Sequence, residues 1–406
     1  MKLKFKDQEM TLYDSIDMCR SDSNKKGYGC VKRDDNSTYY FDLVPTSDAF
    51  ATKLRYKKKS NNTTYAIADS NIVDLSEWCR ETYPSTFETM TALSSSDINY
   101  LKQVRGKRHS NMFDYSLALK TLDVSTWDMS QSTDIQGMFD YCSSLTTLNV
   151  ANWNTSKVTD MAYCFRKCRK VKSLAVSNWN TANVEDMYGV FDSCELITTL
   201  DLSKWNTSKV EDMGLMFSNC SSLTSLNVAN WNTSNVNRMH HIFNGCSALT
   251  SLNVANWNTS NVSSGSSWSM GSIFNGCSSL TSLDLSKWNT SKTPDMSSMF
   301  YGCTSLVSLD VSNFDTSKVI RDVDISGIFS GCSSLKYLII GSTTFKFKMI
   351  RSDCGGLNTT CKILVPRSLL NTFKSASNWS SRASQFDAIE NYNITRSNGK
   401  VTVTKK

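Results

Sequence analysis

The stretch CSSLTSLNVANWNTSNVNRMHHIFNG spans residues 220–245, and residues 246–262 start the phrase again as CSALTSLNVANWNTSNV. Aligned on its aromatic residue, the phrase recurs at Trp127, Trp153, Trp179, Trp205, Trp231, Trp257, Trp288 and Phe314, in steps of 26, 26, 26, 26, 26, 31 and 26 residues. A fixed period in the range of about 20–50 residues marks a solenoid or a propeller. The longer step carries five extra residues within SSGSSWSMGS, which includes Trp268, and a three-residue extension falls near IRDVD. Insertions of this kind belong on surface turns.

Each unit opens on Leu-x-x-Leu-x-Val/Leu, as in Leu145, Leu148 and Val150 or Leu280, Leu283 and Leu285. That spacing suits a short parallel strand with alternate residues turned inward. Counting forward from Trp205, Val210, Met213, Met216, Phe217 and Cys220 fall at offsets +5, +8, +11, +12 and +15. After the first, the offsets follow i, i+3, i+4, i+7, which predicts a buried helical face. Ser208-Lys-Val-Glu211 reads as a capping box, and Asp212 adds negative charge where a helix dipole favours it. A unit is thus expected to run strand, Trp-Asn-Thr-Ser turn, short convex helix. Coils would stack ~4.8 Å apart, and no unit can bury its faces alone.

The segment GCSSLTSLDLSKWNTSKTPDMSSMFYGC (276–303) resembles the 26-residue repeat of BspA-like leucine-rich-repeat proteins, also found in Mycoplasma lipoprotein-like surface proteins. The resemblance covers roughly residues 115–340. Beyond it, KILVPRSLLNTFKSASNWSSRASQF (362–386) resembles the strand-then-helix unit that closes such arrays. The expected fold is an α/β solenoid: a right-handed, leucine-rich-repeat-like stack with a parallel strand layer and short convex helices, preceded by a small β-rich module. Hairpin-like alternation in residues 28–45 and 54–68 predicts that module. NIVDLSEW, from Asn71, echoes LTSLDLSKW with Trp78 in register, and residues 95–105 would supply a capping helix. The expected division is 1–70 as a β-rich attachment module, 71–117 as a degenerate first coil with its capping helix, 118–340 as the solenoid and 341–406 as the C-terminal cap.

Composition sets the outer bounds. The chain is 40% apolar and 20% charged, ordinary for a globular protein, and its net charge of +7 is mild for 406 residues. Its basic runs, Lys57-Lys58-Lys59 and Lys102 to His109, are short, so no specific nucleic-acid partner is expected. The first fifteen residues lack the apolar core of a signal peptide, and no stretch reaches the roughly 18 apolar residues of a membrane span.

Eight of the fourteen cysteines, at 142, 168, 194, 220, 246, 277, 303 and 332, hold one place in the repeat. Coils ~4.8 Å apart place neighbouring Cβ atoms beyond the disulfide range of about 3.5–4.5 Å, and no zinc-type spacing is present. These thiols are expected to pack as small buried hydrophobes; Cys354 and Cys361 are the one pair to test for a bridge. Asn-Thr-Ser recurs at Asn154, Asn206, Asn232, Asn258 and Asn289. Glycans cannot line up on coils this close, so the asparagines are read as a ladder bonding from coil to coil, with Ser capping the next helix.

Catalysis finds little support. No Gly-rich phosphate loop, nucleophile elbow or H-E-x-x-H motif occurs, and Asp160, Asp186 and Asp212 are periodic helix-start residues. His240 and His241 are adjacent on the expected helix, with side chains diverging by ~100°, which disfavours a shared metal. His109 is expected to be solvated. No cofactor or metal is expected.

Candidate binding residues are therefore those that point outward from the strand layer: Thr147, Asn149, Thr199, Asp201, Ser225, Asn227, Ser251, Asn253, Ser282, Asp284, Ser308 and Asp310. This face is small, polar and regular, suited to hydrogen-bonding a glycan or an extended peptide. The unit-specific candidates are Arg166, Lys167, Arg169, Lys170, His240, His241 and Trp268, which break the pattern without a packing reason visible in the sequence. The resemblance implies adhesion to a protein or a surface polysaccharide. A phage virion fibre or decoration protein, attached through the N-terminal module, would reconcile that role with the missing leader; it would be made in the cytoplasm. An intracellular protein-interaction scaffold and a bacterial surface adhesin exported by another route are the alternatives.

Overall fold

A computed structural model describes residues 2–5, 8–12, 28–33, 38–42, 55–58, 64–66, 72–83, 85–102, 105–263, 269–319, 327–341 and 357–406. The N-terminal alternation forms a six-stranded antiparallel meander: β1 (Lys2–Phe5), β2 (Gln8–Leu12), β3 (Tyr28–Arg33), β4 (Thr38–Asp42), β5 (Arg55–Lys58) and β6 (Thr64–Ala66). The two predicted hairpins are β3–β4 and β5–β6.

From residue 105 the chain winds as a solenoid. Its strand layer comprises β9 (Thr121–Leu122), β10 (Thr147–Leu148), β11 (Thr199–Leu200), β12 (Ser225–Leu226), β13 (Ser282–Asp284), β14 (Ser308–Asp310), β15 (Tyr337–Ile339), β16 (Lys362–Val365) and β17 (Phe386–Ala388). Strands of adjacent coils pair in parallel, β9 with β10, β11 with β12, and β13 to β17 in order, so that Ser282 faces Ser308 and Leu283 faces Leu309. Strands stay short because the Trp-Asn-Thr-Ser turn follows at once. Inward residues are buried as predicted, from Leu145, Leu148 and Val150 to Met213, Met216, Phe217 and Cys220.

The predicted convex helices are instead runs of tight turns. Between β9 and β10, Ile135, Gly137, Phe139 and Tyr141 donate their N–H groups to Asp160, Ala162, Cys164 and Arg166 in the next coil, at 2.8–3.0 Å. The residues between them close three-residue turns: Met138 onto Ile135, Asp140 onto Gly137 and Cys142 onto Phe139. Left-handed residues recur four apart, such as Leu215 and Asn219 with φ of 57° each, and a right-handed helix cannot pass through them. The i, i+3, i+4, i+7 spacing reports burial, which turns of this length satisfy as well as a helix does. Ser208 therefore caps nothing, and the aspartates do not start helices. Asp134, Asp160, Asp186 and Asp212 form parallel bridges from coil to coil, each accepting from the N–H two residues ahead.

The core is a set of columns running along the solenoid. Phe139, Phe165, Phe191, Phe217 and Phe243 stack with ring centroids 5.7–5.8 Å apart and planes within 10°. Beside them, the six repeat tryptophans from Trp153 to Trp288 each donate the indole N–H to a carbonyl of the preceding coil, as Trp179 does to Val150 at 3.0 Å. Such a column must end somewhere: Trp127, in the first full coil, is buried without a hydrogen-bond partner for its indole N–H.

The start of the array differs from the sequence echo. β7 (Ile72–Asp74) pairs with β8 (Arg105–Arg108), which leads into the aspartate column through the Arg108–Asp134 bridge. Residues 72–79 thus extend the turn side, not the leucine strands, and Trp78 packs edge-on against Phe113 rather than continuing the tryptophan column. α1 (Trp78–Thr82) and α2 (Ser95–Leu101) follow. His109, expected in a solvated loop, is 2% exposed and hydrogen-bonded to Ser132 at 2.9 Å. Its ring occupies the space a side chain at Gly106 would need, with Nε2 2.1 Å from the position of a Cβ there.

At the other end, β15, β16 and β17 extend the sheet. α3 (Leu370–Ser375) brings Phe373 against Trp379 and Phe386, closing the apolar core. The chain then makes a hairpin of β18 (Tyr392–Ser397) and β19 (Lys400–Lys405), turned by Asn398 and Gly399 at φ 51° and 73°. Asn-Gly suits this turn because both central residues need positive φ.

Candidate functional site

The hairpin decides how much of the outward strand face is free. Of the twelve outward residues singled out, Thr147, Asn149, Thr199, Asp201, Ser225 and Asn227 are exposed, and Ser251 and Asn253 are half-buried. Ser282, Asp284, Ser308 and Asp310 are buried, at 9%, 5%, 4% and 0% exposure. These last four are not a solvent-facing surface, because β19 lies across β13 and β14.

The polar contacts are chiefly to the hairpin's main chain. The N–H of Val401 donates to Ser282 Oγ at 2.7 Å, and its carbonyl accepts from the hydroxyls of Ser282 at 3.0 Å and Ser308 at 2.5 Å. The Gly399 carbonyl accepts from the N–H of Asp284 at 2.8 Å. One side chain adds charge: Arg396 donates to Asp310 Oδ2 through Nε at 2.7 Å and Nη2 at 2.6 Å. A carboxylate buried to this degree needs such a partner. The hairpin's tip stops at Gly399, where a Cβ would stand 2.5 Å from the Leu252 carbonyl oxygen. In front of the tip lies a hollow of about 570 Å³ lined by Thr199, Asp201, Ser225, Asn227, Asn398 and Lys400, among others.

Sequence reasoning passed over Arg396, Asn398, Gly399, Lys400 and Val401. The signal was available, since YNITRSNGKVTVTK (392–405) alternates about an Asn-Gly pair.

The unit-specific residues divide. Arg166 clamps Asp140 of the preceding coil through Nε at 2.8 Å and Nη2 at 2.5 Å, with its guanidinium 3.9 Å from the Tyr163 ring centroid. Lys167 donates to the Tyr141 hydroxyl and lies 4.0 Å from that ring's centroid. These two have a packing role that the sequence did not disclose: they tie coils together. Arg169, paired with Glu195 at 3.4 Å, and Lys170 border a second hollow of about 540 Å³ with Tyr141 and the exposed Leu196. Trp268 lies outside the described residues.

His240 and His241 stand with rings edge to face, centroids 5.6 Å apart. Burial, then the Arg238 charge, pushes His240 below its ordinary pKa; burial, then His240, pushes His241 down to about 4. Both are neutral at pH 7. Among the described residues, no cluster of His, Cys, Asp or Glu could hold a metal ion.

The cysteine column has a bonding role beyond that of small hydrophobes. Each of the eight thiols donates to a phenylalanine carbonyl of the preceding coil, from Cys142 to Phe113 through Cys332 to Phe300, at 3.1–3.2 Å. Burial pushes Cys277 up to about 12. Cys361 is a buried free thiol, and Cys354 lies outside the described residues.

The Asn-Thr-Ser ladder is carried by threonine, not asparagine. Thr155, Thr181, Thr207, Thr233 and Thr259 donate to a carbonyl of the next coil at 2.9–3.1 Å. Each asparagine accepts locally, as Asn154 does from the Ser156 N–H at 3.1 Å.

Stacked 26-residue coils, parallel strands and buried leucine rows define a leucine-rich-repeat-like solenoid with one polar face partly covered by its own C-terminus. The chain belongs to the family described as Mycoplasma protein of unknown function, DUF285, which matches residues 70–172, 142–227 and 221–340. No curated protein matches it. Among solved structures it is similar to the chain in "Crystal structure of TLR13-ssRNA13 complex", with 16% identity and a TM-score of 0.30, over 72% of this chain and 45% of that one. This chain thus matches less than half of that protein's length. Among the described residues, no helix is long and apolar enough to cross a membrane.

Proposed function

We propose that this is a non-enzymatic recognition protein, akin to BspA-like surface proteins, whose uncovered strand face from Thr147 to Asn253 engages a partner protein or a surface polysaccharide. The observation that carries this reading is the face itself: rows of hydroxyl, carboxamide and carboxylate groups repeat coil after coil on a rigid core, exposed as far as Asn227. Rigid presentation lowers the ordering cost of binding an extended ligand. In its finer form the protein is a virion fibre or decoration component attached through the N-terminal β module, and antibody labelling of purified particles tests that form.

The general reading is tested by binding the fluorescently labelled full chain to intact bacterial cells and to a polysaccharide array. The Asn149→Arg/Asn227→Arg variant, altered only at exposed positions, should lose binding. Undiminished binding by a folded variant would remove the face from the site.

A further inference from the structure

The hairpin shows what chemistry this face accepts. Ser282 and Ser308, in adjacent coils, hold the main-chain N–H and carbonyl of one residue, Val401, with their hydroxyls, and Asp310, two residues beyond the second serine, takes the arginine across the hairpin. Arg396 is the direct pairing partner of Val401, so the bonded main-chain residue and the guanidinium belong to one rung of the ligand. The other polar contacts are to main chain, while at the open end of the hairpin Tyr392 and Val401 pack with Ile339 and Leu364.

The same set recurs four coils earlier. Ser173, Thr199 and Asp201 stand in the relation of Ser282, Ser308 and Asp310: hydroxyl, hydroxyl one coil on, carboxylate two residues further. All three are exposed. The two carboxylates are also held alike. Asp310 Oδ1 accepts from the Ser312 N–H at 3.0 Å, leaving Oδ2 to Arg396, and Asp201 Oδ1 accepts from the Ser203 N–H at 3.1 Å. In the coils between, Asn227 and Asn253 replace the carboxylate, and Asp284 lies beneath the hairpin.

We propose that Ser173, Thr199 and Asp201 form a docking site for a β-hairpin of a partner protein, bound through its main chain and through one arginine on the rung that meets Asp201. The available length fits this occupant. The resident hairpin runs from Tyr392, against Tyr337, to Gly399, against Leu252. Displaced by four coils, it would extend from Ser225 to Leu148 and stop one coil short of the resident tip at Asn253. The two would lie end to end without overlap, across the hollow in front of Asn398 and Lys400.

This rests on the strand face being the recognition surface, and the experiment separates the two claims. The probe is a fluorescent synthetic peptide of residues 390–406, titrated by anisotropy into the full chain, whose own hairpin keeps the Ser282 cradle filled. Saturable binding is expected, weakened at least tenfold by Asp201→Ala in the protein or by alanine at the Arg396 position of the peptide. Cross-links should fall on residues 147–227, away from the covered cradle of Ser282 and Ser308. No saturation at the highest soluble peptide concentration would overturn the proposal. So would binding that is kept in Asp201→Ala and cross-linked to that cradle, which would mean exchange with the resident hairpin. Should the full chain bind cells or polysaccharide through Asn149 and Asn227 while the peptide fails, the recognition role stands and the hairpin ligand falls. Circular dichroism of each variant establishes that it is folded.

Discussion

Replacing Thr181 by valine removes one hydroxyl while keeping the shape of a residue that is 1% exposed. That hydroxyl donates to the Asn206 carbonyl at 3.0 Å and accepts from the Asn206 N–H at 2.8 Å, so a single atom satisfies both main-chain groups of a residue in the next coil. Each bond is worth about 1 kcal/mol net, and a donor or acceptor left without a partner away from water costs about 1–3 kcal/mol. Asn206 is itself exposed, so water can rescue much of the loss; the sum comes to roughly 2 kcal/mol. Thr181→Ser keeps both bonds and sheds one methyl, about 1 kcal/mol. The unit is informative because Asn180-Thr181-Ala182 is not a glycosylation acceptor, so the threonine here can serve only the ladder. Urea unfolding followed by tryptophan fluorescence reads the difference, with Trp179 and Trp205 flanking the site. Should Thr181→Val lie within about 0.5 kcal/mol of the parent, the usual scatter of neutral surface changes, or should Thr181→Ser cost as much as Thr181→Val, the threonine ladder is not what holds the turns.

The aspartate column predicts an inverted pH response. Burial, with the charges of Asp186 and Asp134 adding to it, pushes Asp160 up to about 6, so the folded state binds its proton more tightly than the unfolded state does. The group therefore destabilises the fold above pH 6, and that penalty fades as pH falls from 6 toward 4. Asp160→Asn, which keeps the acceptor for the Ala162 N–H, should stabilise at pH 7 by about 1 kcal/mol, after discounting for its partial exposure, and by nothing at pH 4. Calorimetry at both pH values checks the sign; taking variant minus parent cancels the histidines, whose lowered pKa values act oppositely. The thiol column predicts that the eight repeat cysteines stay unmodified by a water-soluble maleimide in native buffer and react together on unfolding. Labelling of Cys220 in the folded chain would contradict its burial and raised pKa.

Period and burial were legible because both are written in side-chain size. Leu148, Trp205 and Phe217 had to face inward wherever the hydrogen bonds went. The bonding scheme of the turn side was not legible, since the spacing of Met213, Met216, Phe217 and Cys220 fits a helix and a chain of three-residue turns equally. What separates them is Leu215 and Asn219 at φ 57°, and no glycine marks either position. His109 was misplaced because its cavity depends on the absence of a side chain at Gly106. The covering of Ser282 and Ser308 was out of reach for another reason. The Asn-Gly hairpin is a local signal, but its docking joins residues 119 and 93 positions apart, which neither periodicity nor turn chemistry encodes.

Copying a brick also copies its charges, and this bears on where function is sought. Asp134, Asp160, Asp186 and Asp212 are neighbours in one column, where like charges on adjacent rungs repel. The column ends in a cation on both sides: Arg108 meets Asp134 at 3.3 Å and Arg238 meets Asp212 at 2.9 Å. Arg238 thus departs from the repeat to end a run of like charge, as Arg166 departs from it to pair with Asp140. A departure from the consensus is therefore weak evidence of a binding site in a solenoid, because the electrostatics of stacking already require some. A stronger criterion is congruence with a position whose occupant is visible. By that criterion Ser173, Thr199 and Asp201 outrank every pattern-breaking residue in the chain, although two of the three look like ordinary repeat residues.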